Sequence, residues 1–468
     1  MASKAHAIMI ALPYQGHITP LINLATKLAS KGFVITFVHL EFIHQMMLSQ
    51  SRDNTIQPDL FSGARESGLD IRYETISDGF PLEFDRALHT DEYWESMLSD
   101  FPHRVDELVT EIIRANPCSA HFLVTDTLYT WPAEIAKKHN LVNVSFWTEP
   151  ALVFSLAYHI DLLTENGHFP CKDHVEEEIK YLPGIESIST KDLMPYLKES
   201  AIGTTVHKIE TRAFQQVKKA DFILHNTVQE FESSTLSALN KHQPNYAIGP
   251  VNFSKNLGTN YAVSNSLWSE HDCTHWLEHK PPGSVLYISF GSLVEISKQL
   301  VEEIAYGLLL SEVDFIWVVR GDSFDSLMDN LRVESKEKGL IIPWCDQIRV
   351  LSDPAIGGFF THCGWNSILE SMWCGVPMIC YPLEYDQPTN RKLVVDDWKI
   401  GISLCDYGIS VDRKEVAKKI KKVMSGDLKH EVKKVNRILV DALDAVGSSE
   451  RNFDQFTKDL RAKLFVSE

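Results

Sequence analysis

Several features that direct a sequence to a membrane or a secretory route are missing from this chain of 468 residues. It has no apolar run of about 20 residues, the length of a membrane-spanning helix, and the apolar run at residues 6–12 is too short for a signal peptide. Its 8 cysteines form no CxxC pair and no disulfide-like spacing, so we interpret them as reduced residues. These absences indicate a soluble, cytoplasmic protein.

Motifs for common cofactors and repeats are missing as well. No predicted strand is followed by GxGxxG, which disfavours a dinucleotide-dependent dehydrogenase. No DxD-like pair lies in a suitable loop, and no repeat of roughly 20 to 50 residues or low-complexity tract is visible. We therefore expect no metal, no resident cofactor and no repeat architecture.

Basic residues are few relative to acidic ones. The chain has 45 Lys and Arg against 63 Asp and Glu, a net charge of −18, which disfavours binding to nucleic acid or to an anionic membrane. The hydrophobic fraction of 44% and the charged fraction of 23% are ordinary for a globular protein. The chain is too long to fold around one hydrophobic core and is expected to form two domains of roughly 200 residues each. We expect the protein to be a monomer.

Predicted strands and helices alternate in two series. The first begins with a strand at 6–12, a helix at about 19–30 and a strand at 34–40, a βαβ unit typical of parallel sheets. The second series has predicted strands at 285–290, 315–319, 339–342, 356–361 and 378–381. This pattern predicts an α/β fold with two Rossmann-like, parallel-sheet domains facing a cleft. We assign residues 1–250 and 272–448 to these domains, residues 251–271 to a linker, and residues from about 449 to a last helix.

The turn after the predicted strand at 356–361 has the composition of an anion site. Gly364 allows close approach to the backbone, and Asn366 or Ser367 can cap the helix that follows, so that its first amides and its dipole face a diphosphate. Glu370, one turn further, could accept the hydroxyls of a ribose. An ordinary α/β loop is the alternative for each residue taken singly.

A base-binding pair precedes this turn. Trp344 offers a ring that can stack on a base, and Gln347 offers an amide that can read its edge. A core tryptophan is the alternative, but the joint pattern from 344 to 387 favours a nucleotide sugar.

This segment resembles the signature box of the plant family 1 UDP-glycosyltransferases, whose fold is called GT-B. The resemblance implies that Trp344 and Gln347 hold uracil and that Glu370 binds ribose. It implies phosphate contacts from His362, Gly364, Asn366 and Ser367, and sugar contacts from Trp365, Asp386 and Gln387. A terminal Gln is typical of members that use UDP-glucose. The chain departs from the usual box at Cys345 and Asp346, where only backbone atoms are expected to matter, and at Glu384 and Tyr385, which leaves open another sugar.

A candidate base lies far earlier in the chain. His17 follows the first predicted strand at its carboxyl end, where open α/β sheets bind ligands, and histidine can accept a proton from a hydroxyl near neutral pH. Asp126 ends another predicted strand and could orient it. A helix-start histidine and a turn aspartate are the alternatives. The GHxxP loop and the Thr-Asp turn resemble the family's catalytic His and Asp.

Further candidates are less specific. The resemblance implies that Ser292 touches the donor phosphates and that Trp147 and Thr148 contact the sugar. A plain strand-ending turn is the alternative for Ser292, and a core aromatic is the alternative for Trp147. Apolar and aromatic stretches at 78–84, 93–94, 150–158 and 193–197 could form a hydrophobic acceptor pocket, although core packing is the alternative for most of them. The acceptor-site candidates are Phe80, Phe84, Trp94, Glu149, Phe154, Tyr158 and Tyr385.

Together these features predict an inverting glycosyltransferase. It would move glucose from UDP-glucose, its co-substrate, to a hydroxyl or carboxyl of a small hydrophobic plant metabolite, giving a β-glucoside. A protein that binds a UDP-sugar or metabolite without turnover is the alternative, disfavoured by the presence of both His17 and Asp126. Transfer of a sugar other than glucose remains the second alternative.

Overall fold

A computed structural model describes residues 4–50, 60–173, 175–253, 268–291, 297–320, 325–405 and 411–465. Ser292 and residues 254–267 of the predicted linker lie outside the described residues. Within the described ranges, no helix combines the length and the apolar character needed to cross a bilayer.

The first half of the chain builds a parallel sheet in the order β3-β2-β1-β4-β5-β8-β9. Its strands, and a short antiparallel pair formed by β6 and β7, are β1 Lys4–Ile10, β2 Val34–Leu40, β3 Ile71–Ile76, β4 Ser119–Asp126, β5 Val142–Trp147, β6 Glu178–Ile179, β7 Ile188–Ser189, β8 Phe222–His225 and β9 Asn245–Ala247. The helices of this half are α1 Gln15–Ser30, α2 Glu41–Gln50, α3 Ser62–Glu66, α4 Thr90–Ser99, α5 Phe101–Ala115, α6 Pro132–His139, α7 Ala151–Tyr158, α8 Ile160–Glu165, α9 Thr205–Val217 and α10 Ser233–Leu239.

The second half builds another parallel sheet in the order β12-β11-β10-β13-β14-β15. Its strands are β10 Val285–Ser289, β11 Asp314–Val318, β12 Gly339–Ile342, β13 Ile356–Thr361, β14 Met378–Cys380 and β15 Gly401–Ser403. Its helices are α11 Thr274–Leu277, α12 Lys298–Ser311, α13 Asp325–Ser335, α14 Gln347–Leu351, α15 Trp365–Cys374, α16 Gln387–Lys392, α17 Arg413–Met424, α18 Lys429–Ala442 and α19 Ser448–Phe465.

Near-continuous apolar runs explain why these strands are central. Every residue of β2 is buried, and in β10 the whole run from Val285 to Ser289 is buried, as expected for parallel strands covered by helices on both faces. The predicted α/β class with two parallel-sheet domains is confirmed.

The last helix, α19, returns to the first sheet. Phe453, Phe456 and Leu460 are fully buried in the core of that half. Lys27 of α1 donates to Glu450 at 2.7 Å, and both side chains are almost completely buried. This contact ties the end of the chain to the domain that it began in.

The start of α1 differs from the prediction of a helix from about residue 19. The helix begins at Gln15, with extended Tyr14 as its N-cap residue, because the backbone N–H groups of residues 17 and 18 already bond to the carbonyl of Tyr14. His17 therefore lies in the first helical turn, directly above the carboxyl end of β1.

Candidate active site

One large cavity lies between the two sheets. It has a volume of about 800 Å³, and residues of both halves line it. The carboxyl ends of β1, β4 and β5 approach it from one side and those of β10 and β13 from the other, as expected for ligand sites of open α/β sheets.

His17 and Asp126 meet at this cavity because β1 and β4 are neighbouring strands. His17 Nδ1 lies 2.7 Å from Asp126 Oδ2 and 3.1 Å from Thr148 Oγ1. The second carboxylate oxygen of Asp126 accepts the backbone N–H of Leu128. With Nδ1 held in this way, Nε2 is the ring nitrogen left to take a proton from a ligand.

The surroundings of His17 favour its protonated form. Burial acts to lower its pKa, but the charge and hydrogen bond of Asp126, together with the charge of Asp386, outweigh burial and raise the pKa above its ordinary value. The side chain of His17 retains 16% of its accessible surface, against 4% for Asp126. A partly accessible base oriented by a buried carboxylate is the arrangement that general-base chemistry requires.

The base-binding pair of the sequence prediction lies at the opposite end of the cavity. Trp344 lines it directly. The Gln347 amide is engaged within the protein, since its nitrogen donates to Glu370 Oε2 at 2.6 Å and to Ser367 Oγ at 2.9 Å, and its oxygen accepts from Tyr287 at 3.2 Å. Gln347 thus orients Glu370 rather than offering a free amide.

Glu370 is buried in this network. Burial raises the pKa of its carboxyl to about 7, although the hydrogen bond from Gln347 opposes the rise. A carboxylate buried in this way has lost its hydrogen bonds to water, and the hydroxyls of a ribose would supply new ones by donating to it.

The helix at the centre of the donor side is capped differently from the prediction. Neither Asn366 nor Ser367 caps α15; extended Gly364 is the N-cap residue, with no side-chain cap. The side chain of Asn366 donates instead to the carbonyl oxygen of Gly16, 2.8 Å away in the other half. The first amides of α15 are therefore free of side-chain caps, and its positive end faces the cavity.

His362 is wedged between two glycines. A Cβ atom on Gly291 would lie 2.5 Å from His362 Nε2, and one on Gly364 would lie 2.6 Å from it. Burial, with a smaller contribution from the charge of Arg320, lowers the pKa of His362 to about 4, against the opposing effect of a hydrogen bond from its ring to the Ser289 backbone. His362 is thus neutral near pH 7 and brings no positive charge to a phosphate.

Asp386 and Gln387 stand at the start of α16. Gln387 Oε1 accepts the backbone N–H groups of Leu383 and Glu384, at 2.8 and 2.9 Å, which leaves its amide nitrogen for a ligand. Asp386 accepts from Asn390 at 2.5 Å. Burial raises the pKa of Asp386 to about 6, against the hydrogen bond from Asn390 and the charge of His17.

Direct bonds hold the two halves together around the cavity. The indole N–H of Trp365 donates to the carbonyl of Asn226 at 2.8 Å, so only the backbone of Trp365 can serve a sugar. On another side, Arg391 forms a salt bridge of 2.5 Å with buried Asp192. These contacts bring the residues of the donor side within reach of His17.

The family model described as UDP-glucoronosyl and UDP-glucosyl transferase matches residues 204–443. The chain is 50% identical to UDP-glycosyltransferase 86A1 of Arabidopsis thaliana, over 98% of this chain and 95% of that protein. The chain belongs to the UDP-glycosyltransferase family. It is also 34% identical to 7-deoxyloganetin glucosyltransferase of Gardenia jasminoides, over 99% of each chain.

A solved structure shares the fold of this glycosyltransferase. Os79 from O. sativa in complex with UDP has a TM-score of 0.81 and 25% identity, covering 97% of this chain and 100% of that chain. The predicted resemblance, the GT-B fold and the assignment as an enzyme are thereby confirmed. The enzyme transfers a sugar from a UDP-sugar to a small molecule.

Several predicted contacts of the glycosyltransferase are not at its cavity. The prediction for Trp147 is wrong, because its ring is 1% exposed, packs against Phe154 and Phe214, and donates to the carbonyl of Pro150. Phe154 is fully buried in the same core and is equally excluded as an acceptor contact. Thr148, the next residue after Trp147, does line the cavity.

The remaining acceptor candidates divide in the same way. Phe80 and Phe84 stack on each other at 4.2 Å outside the cavity. Tyr158 also lies outside it, against His242. None of these three residues is among those that line the cavity, so their acceptor contacts stay predictions. The acceptor candidates Trp94, Glu149 and Tyr385, by contrast, are among its lining residues, and so is Cys345 of the donor segment.

Sequence reasoning missed part of the acceptor end of this glycosyltransferase. Tyr14, Ile209 and Glu210 line the cavity, together with Tyr196 of the predicted stretch 193–197. Tyr14 belongs to the GHxxP loop, and that proximity is the signal that could have found it. Helix α9, which carries Ile209 and Glu210, has the pattern of an ordinary amphipathic helix, so nothing in one dimension marks these residues as lining a site.

Proposed function

We propose that this enzyme transfers glucose from UDP-glucose to a hydroxyl of a small hydrophobic acceptor, with inversion at the anomeric carbon. The observation that carries the proposal is the His17–Asp126 pair at 2.7 Å, open to the same cavity as the donor-side residues. A base on one side and a leaving-group site on the other fit a single displacement.

The donor half of the proposal rests on four features of the cavity. Trp344 offers a surface for uracil, and Glu370, held by Gln347, offers a carboxylate for ribose. The uncapped start of α15 and the neutral side chain of His362 would bind the diphosphate. Because these groups stabilise negative charge on UDP, the proposed reaction requires no metal and no resident cofactor.

Glucose as the sugar is supported by the geometry of α16 and by one relative. The Gln387 amide nitrogen and the Asp386 carboxylate both lie at the cavity, and together they offer one donor and one acceptor to neighbouring sugar hydroxyls. The 34% identical protein of Gardenia jasminoides is named a glucosyltransferase.

In the proposed reaction, His17 Nε2 takes the proton of the acceptor hydroxyl as its oxygen attacks C1 of glucose. The bond between C1 and the β-phosphate oxygen breaks, and UDP leaves from the opposite face. An α-linked donor therefore gives a β-glucoside. The Asp126 carboxylate holds the ring and stabilises the imidazolium that forms.

The test is to incubate the enzyme with UDP-glucose and a panel of neutral alcohols and phenols. We expect UDP release with a matching gain of one hexose in acceptor mass, and a β-anomeric proton in the product by NMR. UDP-galactose and UDP-glucuronate serve as matched donors. An α-linked product would contradict inversion. A preference for UDP-galactose or UDP-glucuronate would contradict glucose as the sugar that is transferred.

A further inference from the structure

The acceptor end of the cavity is rich in carboxyl groups. Asp126, Glu149, Glu210 and Asp386 lie close enough together that their charges act on one another. Among the described residues that line the cavity there is no Lys and no Arg. An anionic acceptor placed here would add a negative charge that these lining residues do not neutralise.

Two polar atoms at this end have no partner within the described part of the protein. Glu210 Oε2 and the Tyr196 hydroxyl are both buried and make no hydrogen bond. Tyr196 is only 5% exposed. Tyr196 and Glu210 line the large cavity, and both also border a small pocket beside Phe214. Buried polar atoms are nearly always paired in folded proteins, so two unpaired atoms on residues that line the cavity favour a polar group of the ligand near them.

The elements that carry Tyr196 and Glu210 pack against each other. Tyr196 lies in the short helix Pro195–Leu197, which packs against α9 through the hydrogen bond of His207 Nδ1 with the Tyr196 carbonyl. The Tyr196 hydroxyl is close enough to Glu210 and Glu149 for their charges to help burial raise its pKa. Apolar Val206 and Ile209 of α9 line the wall beside them.

The protonation state of Glu210 suits an uncharged ligand. Burial, together with the charges of Asp126 and Asp386, raises the pKa of its carboxyl to about 8. Near pH 7 the carboxyl therefore keeps its proton and can donate one hydrogen bond as well as accept one. The Tyr196 hydroxyl has the same dual capacity.

We propose that Glu210 and Tyr196 form a polar subsite that binds a second, uncharged hydroxyl or carbonyl of the acceptor, remote from the hydroxyl that reacts. The acceptor class is then a neutral hydrophobic alcohol or phenol with two polar groups, and acceptors that carry a carboxylate are selected against. This inference rests on the proposed function for its meaning, but the subsite itself can be tested by binding alone.

The test is calorimetric titration of the UDP-saturated enzyme with three naphthalene probes of the same ring size. These are 2-naphthol, 2,6-dihydroxynaphthalene and 6-hydroxy-2-naphthoate. We expect the diol to bind roughly three- to tenfold more tightly than the naphthol, the range of one buried hydrogen bond. We expect the carboxylate probe to bind at least as weakly as the naphthol. Equal affinity of diol and carboxylate would overturn the selection for uncharged acceptors.

Variants assign the effect to the two residues. Glu210→Leu and Tyr196→Phe should each reduce the advantage of the diol while leaving the affinity for 2-naphthol nearly unchanged, and Glu210→Gln should retain most of it. Glu199→Gln, an exposed carboxyl before α9, is the matched control. A diol advantage that survives in both Glu210→Leu and Tyr196→Phe would overturn the assignment.

Turnover of the same probes with UDP-glucose separates this inference from the proposed function. Absence of glucosylated product with all three probes would count against the proposed function only, because the binding ratios still decide the subsite. Glucosylation of all three probes without any discrimination in binding would count against the subsite only.

Discussion

The ribose end of the donor half and the acceptor half of the cavity differ in how their polar atoms are paired. At the ribose end, Gln347, Glu370 and Ser367 bond to one another before any ligand arrives. On the acceptor side, Glu210 and Tyr196 keep polar atoms without partners among the described residues, as do His362 and Asn366 at the phosphate end of the donor half. A site whose groups are already bonded suits one invariant ligand, and open hydrogen-bonding capacity on the acceptor side leaves specificity to the acceptor.

His17→Ala should have the largest effect on turnover, and it should most clearly separate the catalytic role of the acceptor half from UDP binding by the donor half. Loss of a general base typically costs about 10² to 10⁴ in rate, so kcat with a hydroxyl acceptor should fall in that range. The Kd for UDP, measured by calorimetry, should stay the same because His17 lies on the other side of the cavity. Full activity in this variant would remove His17 from the mechanism.

Asp126→Asn should lower the rate by about 10² and should also change its pH dependence. His17 must be unprotonated to act as a base, and its pKa is raised, so kcat/KM should fall as the pH falls through a value above 6.5. Without the Asp126 charge, the fall of kcat/KM on the acid side of the pH profile should move to lower pH. If it does not move, a group other than His17 controls it.

Gly364→Ala should damage the donor half by steric means. A Cβ there would meet His362 Nε2 at 2.6 Å, whereas a Cβ at Gly16 would meet its nearest neighbour at an ordinary 3.5 Å. We expect the KM for UDP-glucose to rise by about tenfold or more in Gly364→Ala, a cost of the size seen for overpacking, and to change little in Gly16→Ala. Similar behaviour of the two variants would contradict the wedged position of His362.

Gln347→Ala should have a smaller effect on the same parameter. Loss of one hydrogen bond to a buried carboxylate costs on the order of 1.5 to 3 kcal/mol, but this bond is present with and without the donor, so only part of that cost affects binding. The KM for UDP-glucose should therefore rise by roughly three- to fivefold, with a smaller change in kcat. Gln455→Ala, which removes an exposed glutamine that donates to Asp459, is the control. A fall in kcat alone would argue against a role in binding.

Trp147→Phe should leave the kinetics nearly unchanged. Its ring is in the core and its N–H bonds to the Pro150 carbonyl, so the variant should lose about 1 to 3 kcal/mol of unfolding free energy with unaltered KM for donor and acceptor. Denaturant titration measures the first, and steady-state kinetics the second. A selective rise in donor KM would restore Trp147 to the sugar site.

Much of the fold was predictable because apolar runs mark parallel strands directly. The predicted strands at 339–342 and 356–361 coincide with β12 and β13, since both are short apolar runs bounded by abrupt polar turns. The start of α1 was misplaced by about four residues because Tyr14 provides a backbone N-cap without a cap side chain. That shift placed His17 in a helix rather than in a loop.

The candidate site was predictable where its residues are close together in the sequence. Trp344 and Gln387 delimit a short segment that the ends of β12, β13 and β14 and the starts of the helices after them bring to one wall. The acceptor wall has no such segment, because Trp94, Tyr196 and Glu210 come from three separate elements. Aromatic residues such as Phe154 and Trp94 look alike in one dimension, and only packing distinguishes the core ring from the lining ring.

Local patterns in the amino-acid order were sufficient for the α/β class, the two sheets and the nucleotide segment, because strand burial and helix starts depend on neighbouring residues. The pairing of His17 with Asp126, the wedging of His362 between two glycines and the orphaned atoms of Glu210 and Tyr196 were decided by the tertiary structure alone. Each depends on distances between residues far apart in the chain, and such distances follow from how sheets and helices pack rather than from spacing along the sequence.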